Sequence, residues 1–165
     1  LLHETLYKTG QFAIVDLGAY VREVASYAAR TLASSQALSL TFDTTPAPVS
    51  VEQAIPCGLL ANELITNALK HAFRQSGQGR VHVTLTAGVD GEILLAVEDD
   101  GAGLPPGFSL DSPGTLGLQL SSDLARQLGG VLIPGKSGIA ATGARFEMRF
   151  HPLSHERSPA RPPVH

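Results

Sequence analysis

Glu63, Asn67, Lys70 and His71 are spaced so that a helix would set all four along one edge. A carboxylate there can orient or deprotonate a nucleophile. The neutral amide oxygen of Asn67 is a hard ligand suited to Mg²⁺, an ion that keeps most of its coordination for water and phosphate. Lys70 and His71 can balance phosphate charge. Alone, such a stripe reads as a solvated helix face whose neighbouring pairs matter little.

Two further segments change its weight. Asp99-Asp100-Gly101-Ala102-Gly103 directly follows a strand run, Ile93 to Glu98. A carboxylate at a strand end can accept a hydrogen bond from an exocyclic amine such as adenine N6, and the glycines let the backbone turn and approach a ligand. Alone, this is an Asp-Gly turn. Gly114-Thr115-Leu116-Gly117-Leu118 then opens a helical pattern, and free N–H groups at a helix start attract phosphate. In this order the three segments describe a nucleotide site without a P-loop.

A formal P-loop does exist at Gly130-Val131-Leu132-Ile133-Pro134-Gly135-Lys136-Ser137. A working one runs from strand through loop into helix. Here a helix precedes the segment, β-branched residues fill the supposed loop, and Pro134 removes an N–H donor. Gly135-Lys136-Ser137-Gly138 is expected to be a hairpin turn, and the match a chance one.

The elements that must position these residues follow from periodicity. Asp16 is placed to cap a helix to about Ala33, with Leu17, Tyr20, Val21, Val24, Tyr27 and Ala28 on one face. Leu38, Leu40 and Phe42 alternate with polar residues as in a half-buried strand, which Pro46 and Pro48 end. A helix from Ser50 or Val51 to about Phe73 would bury Cys57, Leu60, Ala61, Leu64, Ala68 and Ala72. Val81–Thr86 and Ile93–Glu98 read as a hairpin. Residues 99–115, rich in glycine and proline, form a long loop. A helix over Leu116–Leu128 stops at Gly129-Gly130, and strands at 131–133 and 145–150 follow. The order α-β-α-β-β-α-β-β predicts an α+β fold, a two-layer sandwich with three helices on one face of a mostly antiparallel sheet.

Composition agrees with one compact domain. The chain has 165 residues, 43% of them hydrophobic and 16% charged, which suits a globular core. A formal charge of −3 offers no electrostatic case for nucleic acid or an anionic membrane surface. The single cysteine, Cys57, excludes an internal disulfide and fits a reducing, cytoplasmic setting. No apolar run is long enough to span a bilayer, although a parent protein could be membrane-anchored.

Glu63-x-x-x-Asn67-Ala68-x-Lys70-His71, Asp99-x-Gly101-x-Gly103 and Leu116-Gly117-Leu118 closely resemble the N, G1 and G2 boxes of the GHKL ATPases, with the Bergerat fold. Among these the catalytic domain of bacterial two-component sensor histidine kinases is most similar. Leu2 to Tyr7, Asn62-Glu63-Leu64, Lys70 to Phe73 and Leu128-Gly129-Gly130 resemble the group related to the HWE kinases. The HWE Trp-x-Glu is absent, since Val97-Glu98-Asp99 stands there, and Ala144 follows Gly143 where a threonine is usual. The resemblance implies ATP and Mg²⁺ as ligands, with Asn67 on Mg²⁺ and Asp99 on adenine. It implies that Glu63 positions or activates the phosphoryl acceptor and that Lys70 and His71 face the phosphates. Gly101 and Gly103 would hinge a lid of about residues 104–115, and Gly117 and Leu118 would give backbone contacts to phosphate.

It further implies an organisation of 1–10 as the end of a dimerisation helix or linker, 11–151 as the ATP-binding domain and 152–165 as a disordered tail. The expected partners are histidine-bearing dimerisation helices of a homodimer and a response regulator, with no nucleic acid and no direct membrane contact. None of His3, His82, His151, His155 and His165 has the surroundings of a phosphoacceptor. Two alternatives stay open: an anti-sigma-factor-type serine kinase of the same fold, and a degenerate binding module without catalysis.

Overall fold

A computed structural model describes residues 13–32, 37–72, 78–110 and 116–153. The expectations for 1–10, for Gly114 and Thr115, and for the tail beyond 153 lie outside the described residues. The order is β1 (Ile14–Asp16), α1 (Leu17–Leu32), β2 (Ala37–Thr44), β3 (Pro48–Ser50), α2 (Val51–Ala72), β4 (Gln78–Ala87), β5 (Ile93–Asp99), α3 (Leu116–Gln127), β6 (Ile133–Lys136) and β7 (Ala144–Phe150).

Five strands form one sheet in the order β2-β4-β5-β7-β6, with β2 and β4 parallel and every other pair antiparallel. Strand alternation gives this sheet two unlike faces. Val81, Val83 and Leu85 of β4, Ile93, Leu95 and Val97 of β5, and Phe146, Met148 and Phe150 of β7 join one buried core with the helices. The alternate residues Arg80, Glu98, Arg145, Glu147 and Arg149 face the other way; the last four pair with one another, while Arg80 pairs with Asp100 and donates to Ile139 O. The fold is therefore the expected α+β sandwich.

Helix α2 is the keystone. It touches α1 on one side, α3 on the other, and β4 and β5 beneath. All six residues expected on its apolar stripe are buried, and Ile65 and Leu69 join them. Each fully buried Leu or Ile contributes about 1.5–3 kcal/mol. That burial outweighs Pro56, which removes one N–H donor inside the helix. Ser50 caps the first turn, its Oγ accepting from Gln53 N at 3.4 Å.

Several details differ from the sequence reading. Asp16 does cap α1, with Oδ1 accepting from Gly18 N at 3.1 Å, and the same oxygen takes Ala47 N at 3.0 Å. The buried face of α1 is Leu17, Val21, Ala25 and Ala28, while Tyr27 is 65% exposed. The buried stripe runs through Ala25 and Ala28, and Tyr27 lies off it. Strands β1 and β3 pair as a small separate sheet, too short at three residues each to show alternation. Helix α3 ends as expected: Gly129 takes φ +88°, Gly130 N bonds Ala125 O and Gly129 N bonds Arg126 O, a Schellman closure. The strand after it starts at Ile133 and runs to Lys136. Gly135 and Lys136 are consequently paired residues of an edge strand, opposite Arg145 and Ala144, and the connection to β7 is Ser137 to Gly143.

Candidate functional site

Asp99 ends β5 on the helix-covered side of the sheet, only 3% exposed. Its Oδ1 accepts from Gly101 N at 2.8 Å and from Ala144 N at 3.3 Å. Among the described residues no donor reaches Oδ2. The carboxylate is thus oriented through one oxygen, and a buried acceptor left without a donor calls for a partner. Burial pushes its pKa above the ordinary carboxylate range. The two N–H groups and the nearby His71 charge oppose that rise, while the Asp100 charge adds to it.

Two glycines make this possible by close approach. A Cβ at Gly143 would collide with the Asp99 carbonyl oxygen, and Gly143 adopts φ +131°, open only to glycine. A Cβ at Gly101 would lie 2.5 Å from the His71 carbonyl oxygen. Strand β7, the turn after β5 and the C-terminal end of α2 therefore converge on Asp99.

The opposite end of the same helix edge meets α3. A Cβ at Gly117 would lie 2.7 Å from Glu63 Oε1, so the Glu63 carboxylate rests against the start of α3. Ser121 is fully buried and donates to Gly117 O at 2.9 Å, fixing that first turn. The Leu118 side chain is buried in the core. From Glu63 to His71 the helix advances about 12 Å. Asn67 sits midway and half-buried, and Lys70 is exposed beside His71. The structure thus brings Glu63 to Gly117, and His71 to Gly101 and Asp99, with Asn67 between the two contacts. Gly103 has φ +87° and passes Gly143. Beyond it Leu104, Phe108 and Leu110 pack on the core, Phe108 edge-on to Phe146 with ring centroids 6.3 Å apart. The first half of the expected lid is anchored; residues 111–115 lie outside the described residues.

A single amide on a half-buried helix edge suits Mg²⁺ delivered with phosphates. Among the described residues no three His, Cys, Asp or Glu side chains cluster to hold a metal by themselves. The P-loop match plays no part in the site: Lys136 is exposed on the sheet edge and α3 precedes it.

Sequence reasoning missed three participants. Ala144 enters through its N–H, which no side-chain pattern reports. Ser121 acts on a backbone carbonyl within its own helix. Glu98 is 4% exposed and ion-paired to Arg145, with Oε2 2.7 Å from Nη1. A carboxylate just after the apolar run of β5, with a matching arginine near the start of β7, was the available signal.

Residues 53–154, spanning every element of the site, match the family of histidine kinase-, DNA gyrase B-, and HSP90-like ATPases. The chain belongs to that family. Among relatives of this ATPase, blue-light-activated histidine kinase 2 of Erythrobacter litoralis is 33% identical over 145 residues, which is 88% of this chain and 40% of the relative. The histidine kinase domain of the Erythrobacter litoralis EL346 blue-light-activated kinase superposes with a TM-score of 0.74 at 30% identity, over 87% of this chain and 64% of that one. An anti-sigma F factor of Bacillus licheniformis shares 37% identity over 46 residues, only 28% of this chain and 31% of its own length. The chain spans less than half the length of the first of these relatives. No helix among the described residues is long and apolar enough to cross a membrane.

Proposed function

We propose that this chain is the ATP-binding catalytic domain of a sensor histidine kinase, which transfers the γ-phosphoryl group of ATP to a histidine outside residues 1–165. The observation that carries the reading is the buried Asp99 carboxylate, held by Oδ1 and with no donor at Oδ2 among the described residues. Oδ2 would accept the adenine N6 amine, with Gly101 and Gly103 letting the backbone run close to the base. The polar edge of α2 would then carry the triphosphate toward α3, where Gly117 and Leu118 offer backbone N–H groups.

Asn67 would hold Mg²⁺, which would supply positive charge against the phosphates. Lys70 and His71 would add positive charge along the same edge. Glu63, resting on Gly117, would orient the acceptor imidazole so that its nitrogen attacks the γ-phosphorus in line. The bond to the β,γ-bridging oxygen breaks and ADP leaves. The domain's work is positioning and electrostatics, in keeping with a loose phosphoryl-transfer transition state.

The serine-kinase reading is supported by a match covering 28% of the chain, against 88% for the histidine kinase relative. Intact Glu63, Asn67 and Asp99 weigh against a degenerate module. The homodimer, the response regulator and a cytoplasmic setting belong to this same proposal. Its test is radiolabelled phosphoryl transfer from ATP to added dimerisation helices of the parent protein. Label on a helix histidine is expected and little on the chain alone; robust self-labelling of residues 1–165 would contradict it.

A further inference from the structure

Glu98 is adjacent to Asp99 but faces the opposite side of the sheet. Its Oε1 accepts from Gly138 N at 2.7 Å, and its Oε2 pairs with Arg145. Gly138 belongs to the connection from β6 to β7, which ends at Gly143 and leads into Ala144, the first residue of β7. That connection has a second tether from the same face, Arg80 Nη2 donating to Ile139 O at 2.6 Å. It closes on itself through Ser137 N and Gly143 O at 3.2 Å. Its last residues wedge against the Asp99 carbonyl and donate to Asp99 Oδ1. Neighbouring residues of one strand therefore grip the two ends of one loop, Asp99 from the helix side and Glu98 from behind.

We propose that Glu98 is a positioning residue for base selection: through Gly138 and the 137–143 loop it sets the orientation of the Asp99 carboxylate without touching nucleotide. A buried carboxylate anchored by a backbone N–H and an arginine holds its loop far more firmly than an exposed pair would. If the loop slackens, Ala144 N loses Oδ1, the carboxylate can rotate, and Oδ2 no longer aims at one point. The loss then falls on discrimination between bases, because only a nucleotide with an exocyclic amine uses that aim.

This rests on the reading of Asp99 as the adenine contact, and the test separates the two. Mg-ATP and Mg-inosine triphosphate, which carries a carbonyl in place of the amine, are titrated calorimetrically into the wild type, Asp99→Asn, Glu98→Ala, Glu98→Gln and Arg80→Ala. The wild type should prefer ATP by about tenfold or more, as a hydrogen bond to a charged group implies. Glu98→Ala should bring the two nucleotides within about threefold. Glu98→Gln, which keeps an acceptor for Gly138 N, should retain most of the preference. Arg80→Ala, altering a half-exposed side chain that tethers the same loop, should lower it by a smaller factor and serves if Glu98→Ala does not fold. An unchanged preference in Glu98→Ala, or equal weakening of both nucleotides, would overturn the positioning role while leaving Asp99 in place. A wild type without preference, unaltered by Asp99→Asn, would sink the adenine reading and this inference together.

Discussion

The two ends of the α2 edge are built on different terms. At the Asp99 end, strand, turn and loop backbones are interlocked, and Gly101 and Gly143 have no room for a Cβ. At the Glu63 end, the contact with Gly117 is made by the tip of a flexible side chain on a half-buried residue. One end is interlocked by backbone contacts, whereas the other, on the proposed function, would adjust as phosphates and an acceptor come in. Base recognition profits from preorganisation, since the base is the same in every turnover. An acceptor brought by another domain needs a carboxylate that can follow it.

Breaking the rigid end should have the largest effect. Gly143→Val combines a disallowed φ with a collision at the Asp99 carbonyl, and should cost about 3 kcal/mol or more. A chemical-denaturation midpoint would report the stability, and ATP binding should vanish with it. The mobile end should respond in chemistry alone. Glu63→Gln is expected to lower phosphoryl transfer by about 100-fold or more, with ATP affinity and thermal midpoint essentially unchanged.

Gly117→Ala sharpens the contrast. Its Cβ would displace Glu63 Oε1, which can swing away at little cost, and alanine favours the helix. Stability should shift by less than about 1 kcal/mol, while single-turnover transfer to supplied helices slows by about tenfold. Equal sensitivity of fold and transfer at Gly117 would erase the distinction between the two ends.

The smallest effect is one of pH. Burial raises the Asp99 pKa in the folded chain, so between the ordinary carboxylate range and the raised value the folded state holds a proton that the unfolded state has released. Stability from this group is present below that window and is lost as pH rises through it. Affinity for ATP, which needs the ionised carboxylate, should climb across the same window. Denaturation midpoints and ATP titrations against pH would show both slopes, and Asp99→Asn should flatten each.

Much of this was legible in the sequence because periodicity and box spacing report side chains. The α2 stripe, the β4–β5 hairpin and the helix stop at Gly129 all arose from such patterns. What escaped was backbone geometry. The N–H of Ala144 and the approach of Gly143 to Asp99 depend on β7 lying beside β5, which no local window contains. Strands β1 and β3 were too short for alternation to show, and Tyr27 obeyed the helical period yet lost the buried face to Ala25. The P-loop match failed for the converse reason: its letters were right, and its place on an edge strand was wrong.

The most direct measurement is a calorimetric titration of Mg-ATP into the wild type, Asp99→Asn and Lys136→Ala. Saturable binding, lost in Asp99→Asn and kept in Lys136→Ala, is the predicted result, and it would put adenine at the buried carboxylate. Binding that survives in Asp99→Asn and disappears in Lys136→Ala would contradict the account at its centre.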